Sequence, residues 1–150
     1  LLDPGPRSLV PAMWYGRAGF QLAYAGGVFL LAYEESATGS DPTNAIRFDA
    51  GLNLLDAAPF GLAPAPLGRM VSNGSGFYAV WNEQLPAGTM AVKGSRIGAN
   101  GQRLDGNGVN FSGPNEPGGY ATPSVAGTTN ARIPATSGRP SAVAGATTTR

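Results

Sequence analysis

The chain repeats itself, at a period that few folds use. A shift of 48 carries Phe20-Gln-Leu-Ala-Tyr-Ala-Gly-Gly-Val-Phe-Leu-Leu-Ala-Tyr-Glu-Glu35 onto Gly68-Arg-Met-Val-Ser-Asn-Gly-Ser-Gly-Phe-Tyr-Ala-Val-Trp-Asn-Glu83 without a gap. Gly26 meets Gly74, Phe29 meets Phe77, Tyr33 meets Trp81 and Glu35 meets Glu83. Leu22 meets Met70, Ala23 meets Val71 and Ala32 meets Val80. A second block follows each copy at a shift of 49, where Arg47, Ala50, Leu55 and Asp56 fall on Arg96, Ala99, Leu104 and Asp105. Leu2-Asp3 is a third instance of the Leu-Asp pair, and Thr122-Pro-Ser-Val-Ala126 reads as the opening strand of a further copy. Fixed-period self-similarity of this kind marks units that bury their faces against one another.

Each unit divides into four short strands. The first runs from Gln21 to Tyr24, or Arg69 to Ser72, and a Gly-rich turn follows it (Ala25-Gly26-Gly27, or Asn73-Gly74-Ser75-Gly76). Asn-Gly is a strong hairpin signal because both residues tolerate positive φ. The second strand, Phe29 to Glu35 or Phe77 to Glu83, is the most apolar and the richest in aromatic residues. A polar, Pro-containing loop leads to the third, Ala45 to Asp49 or Met90 to Ile97. The fourth alternates Phe60 with Leu62, or Val109 with Phe111, as a half-buried strand does.

The expected fold is therefore all-β, built of tandem four-stranded antiparallel repeats. Four strands in about 45 to 50 residues is the anatomy of a propeller blade. Residues 20–64 and 68–114 form two complete blades of a partial β-propeller. Residues 1–19 end a preceding blade and connect it, 115–130 start the next, and 131–150 form a tail. That tail has no aromatic residue, no Leu and no acid, so it is expected to be disordered, or the product of truncation or a frame slip. The chain reads as a fragment of a longer array, marginally stable alone because blade faces and edge strands are left open.

Composition excludes more than it assigns. The chain has no Cys and no His. Disulfides, thiol catalysis and Cys-based metal sites are ruled out, and so is a Ser-His-Asp machine made from this chain alone. A net charge of +1 gives no reason to expect nucleic acid as a partner. The longest nearly apolar stretch, Ala23 to Tyr33, is too short to span a bilayer, and no signal peptide is visible.

The residues with chemical potential read as scaffold. Glu35 and Glu83 resemble a glycosidase carboxylate pair only superficially, since repeat equivalents lie in different blades. Asp56 and Asp105 are expected to accept backbone N–H bonds at a turn. Asp105-Gly-Asn-Gly-Val-Asn110 opens like a calcium loop but lacks the oxygen ligand at its fifth position and the downstream Glu, and reads as a turn. Arg47 and Arg96 are assigned to inter-strand or inter-blade bonding rather than to an anion. Tyr33 and Trp81 are assigned to the core rather than to sugar stacking. Asn73-Gly-Ser75 and Asn110-Phe-Ser112 fit the glycosylation pattern, which matters only in a eukaryote. No catalytic, cofactor-binding or metal-binding residue is expected.

The pattern Gln-Leu-Ala-Tyr-x-Gly-x-x-Phe-Leu-Leu-Ala-Tyr-Glu, then Lys-Gly-Ser-Arg-Ile-x-Ala-x-Gly-x-x-Leu-Asp and Thr-Pro-Ser-Val-Ala, resembles a repeat of large secreted or surface proteins of bacteria. The resemblance covers about residues 20 to 126. The chain departs from it at Phe20 and Gly68, where that group often has Pro, and at Ala25, where it often has Asp. The resemblance implies a propeller, an extracellular or cell-surface setting and an unknown glycan or protein ligand, with neighbouring repeats of the parent chain as further partners. The functional expectation is a non-enzymatic module, structural or ligand-binding through loops 36–43, 84–88 and 113–121. The alternative is the scaffold portion of a secreted propeller hydrolase acting on glycans. The absence of a Ser-x-Asp-x-Gly-x-x-Trp sialidase box counts against that version.

Overall fold

The computed structural model describes residues 8–9, 19–34, 42–86, 88–112, 123–125 and 143–144. Its eight principal strands form two four-stranded antiparallel sheets. β1 (Phe20–Ala25), β2 (Val28–Glu34), β3 (Thr43–Phe48) and β4 (Phe60–Ala63) make the first, in sequential order. β5 (Leu67–Ser72), β6 (Gly76–Gln84), β7 (Met90–Gly98) and β8 (Val109–Asn110) make the second, also in sequential order. No helix occurs among the described residues. The eight strands expected of the two repeats are all present, with ends displaced by at most two residues.

The hairpins differ in detail. Ala25 pairs with Val28, so the first turn is the two-residue loop Gly26-Gly27, with φ of 56° and 85°. Positive φ at both positions is what a type I′ turn demands. In the second repeat Ser72 pairs with Phe77, and the loop is four residues long. There Asn73 does not take the left-handed conformation that an Asn-Gly hairpin predicts. Its Oδ1 instead accepts from the amides of Ser75, at 3.1 Å, and Gly76, at 2.8 Å. The side chain replaces backbone turn geometry, which Asn does readily.

β2 is apolar from Val28 to Tyr33, and Leu30, Ala32 and Tyr33 are buried. Leu30 and Ala32 belong to one buried cluster with Ala45, Leu62 and Ala63. Opposite them, in the same cluster, lie Leu67, Met70, Phe77, Ala79, Trp81 and Ile97 of the second sheet. The other face of the first sheet carries Tyr24, Phe29 and Phe48, whose rings lie 4.8 Å and 5.2 Å apart in succession. By the repeat, Phe29 is the counterpart of Phe77 and Tyr33 of Trp81. The face that the second sheet turns toward the first is thus the counterpart of the face that the first turns away. The sheets stack head to tail.

Polar bonds fix this stacking at three points. Gln21 lies against the outer edge of β5, where its Nε2 donates to the carbonyl of Gly68 at 3.2 Å and its Oε1 accepts from the Met70 amide. The Gly26 amide donates to the Gly74 carbonyl at 3.0 Å, joining the two hairpins at equivalent residues. Arg47 Nη1 donates to the Ala99 carbonyl at 2.9 Å. β5 would otherwise present an open edge, and Gln21 supplies the partners it lacks.

The stacking continues in one direction. Ser124–Val125 (β9) lies against β5 and β6, and both Pro123 and Val125 are buried. Of the opening strand read at Thr122–Ala126, the described part is Ser124–Val125. Val143–Ala144 (β10) pairs with β9 in parallel. The remainder of the tail, and most of residues 1–19, lie outside the described residues.

One turn shows the repeat in its backbone. Asp49 and Gly98 open equivalent turns, in which the Leu52 and Gly101 amides donate back to them at 3.0 Å and 2.9 Å. Leu52 has a φ of 60° and Gly101 a φ of 83°. A Cβ on Gly101 would lie 2.9 Å from Phe60 Cζ. Gly101→Ala is therefore expected to lower stability by about 1–2 kcal/mol, through left-handed strain and displacement of the Phe60 ring. Chemical denaturation measures it. An unchanged or raised midpoint would contradict the contact.

Candidate functional site

The residues singled out in the sequence come together as two copies of one clamp. Asp56 Oδ2 accepts from the Arg47 backbone amide at 2.8 Å, and both of its oxygens accept from Arg47 Nε, at 3.0 and 3.1 Å. Asp105 repeats this on Arg96, with an amide bond of 2.8 Å and two Nε bonds of 3.1 Å. The Asp follows Leu at the end of the β3–β4 or β7–β8 connection. It turns back to bind the Arg nine residues earlier, so it fixes where that connection re-enters the sheet. The expected backbone capping is present, joined by a two-pronged ion pair.

The copies differ in exposure and reach. The Arg47 side chain is 17% exposed and continues to Ala99 of the next sheet, whereas that of Arg96 is 56% exposed and, among the described residues, binds Asp105 of its own sheet. Arg47 therefore couples two sheets. Arg96 serves one.

The carboxylates respond as structural acids do. Burial works to raise the Asp56 carboxyl, but the bonds from the Arg47 guanidinium and amide, together with its charge, hold it below the ordinary value. The Arg96 guanidinium lowers Asp105 against a smaller opposing effect of burial. Glu83 is opposed by burial and brought down by Lys93 Nζ, at 2.7 Å, and by Trp81 Nε1, at 3.2 Å. A carboxyl whose folded pKa is depressed stabilises the fold fully above its unfolded value. That stabilisation is lost as pH falls through the folded value. Ordinary values lie at about 3.9 for Asp and 4.3 for Glu. The thermal midpoint is therefore expected to fall as pH drops below about 4, and Asp56→Asn to flatten that fall. Midpoints measured between neutral pH and about pH 2.5 check this. A flat profile for the unaltered chain would contradict it.

The remaining candidates also take scaffold positions. Tyr33 and Trp81 are 1% and 0% exposed, which places neither ring where a sugar could stack. The Asp105–Asn110 segment is a turn closed by the Gly108 amide on the Asp105 carbonyl at 2.9 Å, and the Asp105 carboxylate faces Arg96. Gly108, with a φ of 90°, lies flat on Trp81, where a Cβ would come within 2.7 Å of the indole. Among the described residues no group of three or more acids could hold a metal ion. Asn73 and Asn110 use their side-chain oxygens on their own turns, Asn110 accepting from the Ser112 amide at 3.1 Å. Glu35, loop 113–121 and most of loop 36–43 lie outside the described residues. No helix among the described residues is long and apolar enough to cross a membrane.

Arg47 bonds across to the neighbouring sheet, as inter-strand or inter-blade bonding was expected of it, but sequence reasoning did not name the Ala99 carbonyl and missed the Gln21 contact. Neither leaves a periodic trace, since Gln21 aligns with Arg69 and the neighbour's carbonyl carries no side-chain signal. Compared with protein-family models, curated proteins and solved structures, the chain matches none.

Proposed function

We propose that this chain is a non-enzymatic repeat module of a larger extracellular or cell-surface protein, built of propeller-type blades and serving a structural or ligand-binding role. The observation that carries this reading is the use made of its acids and bases. Asp56, Asp105 and Glu83 each bind a cation of their own sheet, and Arg47 binds the backbone of the next. Catalytic carboxylates need a free face toward substrate, and these are turned into the scaffold. The head-to-tail relation of the two sheets supports a blade array, because repeating that relation places each further sheet like the last.

Loops joining strands at one end of such an array are where a ligand is bound. An immobilised glycan panel, with a glycan-hydrolysis assay on the parent protein, tests the reading. Retention of glycan without turnover is expected of a binding module. Turnover abolished by replacing an acid outside residues 1–150 would assign the chain to the scaffold of a hydrolase.

A further inference from the structure

The two ends of the stack are complementary. On the first sheet, Phe20, Leu22 and Tyr24 alternate along one face of β1 and are 56%, 58% and 53% exposed. Their counterpart Met70 is 5% exposed, because the first sheet covers it. On the second sheet, the guanidinium of Arg96 is open where its counterpart Arg47 holds the Ala99 carbonyl. The counterpart of Ala99 on the first sheet is Ala50, in the exposed turn opened by Asp49. Where the second repeat has Gly98, that turn carries a carboxylate beside the carbonyl an incoming guanidinium would meet.

From this we infer that the chain associates head to tail with a second copy of itself, the Phe20–Leu22–Tyr24 ridge and Asp49 turn of one copy meeting the Arg96 end of another. The intrachain interface supplies the geometry: Leu22 of the incoming copy takes the place on β5 and β6 that Met70 takes on the first sheet, and Arg96 takes the carbonyl of Ala50. Three large apolar side chains more than half exposed on one strand are an association surface in a soluble chain. The opposite charges of Arg96 and Asp49 set its polarity. In the single chain the two-residue strand β9, with its buried Val125, lies against β5 and β6. The six-residue β1 of a second copy displaces it. This interface is heterologous, so association proceeds by addition rather than stopping at a symmetric dimer. The inference rests on the stacking described above and not on any ligand, so the glycan experiment stands or falls separately.

Sedimentation of the full chain over a wide concentration range tests it. The unaltered chain is expected to show concentration-dependent association, with Leu22→Asp or Arg96→Glu each weakening it at least about tenfold. Both side chains are more than half exposed, and an unchanged far-ultraviolet circular dichroism spectrum is expected of each variant as the check that it keeps its sheets. The two variants mixed are expected to form a dimer and nothing larger, because each retains the surface the other lacks. Val125→Asp, which loosens β9, is expected to tighten association. A chain that stays monomeric throughout, or variants that associate as the parent does, would overturn the inference. So would a mixture no larger than its components.

Discussion

Trp81→Ala is expected to lower the stability of the chain by about 3–5 kcal/mol, the largest loss of any single replacement described here. The indole is fully buried and stands in the cluster between the two sheets, beside Met70, Phe77, Ala79 and Ile97. An aromatic side chain of this size removes about 150–250 Å² from water, and its loss forfeits that transfer energy and leaves a cavity. The cavity cannot collapse easily. Gly108 packs so near the ring that a Cβ there would come within 2.7 Å of it, and the Asp105–Gly108 turn that holds it is fixed by the Arg96 clamp. The indole Nε1 also donates to Glu83, so the replacement loosens the Glu83–Lys93 pair on the same strands. In a chain of this length the thermal midpoint is expected to fall by roughly 10 °C or more. Trp81→Phe, which keeps most of the volume, is expected to recover over half of the loss. Guanidinium denaturation of the three proteins checks both statements. Equal midpoints would show that the ring does not stand between sheets.

The second large effect belongs to the clamp. Asp56→Ala is expected to cost about 2–3 kcal/mol, because it strips the Arg47 amide and a mostly buried guanidinium of their acceptor at once. Asp105→Ala removes the same bonds from Arg96. It is expected to cost less than half as much, since water replaces the carboxylate around a guanidinium that is already half exposed. The contrast follows from position in the stack, because local sequence is the same in both repeats. Paired denaturation curves decide it. Equal losses would mean that the bond from Arg47 to Ala99 contributes nothing to holding the sheets together.

The parts of the fold that could be read in the sequence are those that recur. Gly26 and Gly74, and the Arg47–Asp56 and Arg96–Asp105 pairs, coincide because each repeat needs a left-handed glycine in its first hairpin and the same return of chain. What could not be read depends on order in the array. Leu22 and Met70 are equivalent in sequence, yet one is 58% exposed and the other 5%. Leu52 occupies a left-handed position that its counterpart Gly101 explains and its own identity does not. The clamp was legible as a turn cap with an arginine bonding across strands or sheets, but its acceptor was not, because Ala99 offers a main-chain carbonyl. Glu83 was legible as a strand-end acid. Its partners Lys93 and Trp81 emerge only once β6 and β7 are in register.

The account depends on equivalent hairpins of two successive repeats lying one on the other. The bond from the Gly26 amide to the Gly74 carbonyl states this in a single pair of atoms. A scalar coupling across that hydrogen bond, recorded on the isotopically labelled chain, is expected between the Gly26 nitrogen and the Gly74 carbonyl carbon. A Gly26 amide that exchanges freely with solvent, or that couples to any other carbonyl, would contradict it.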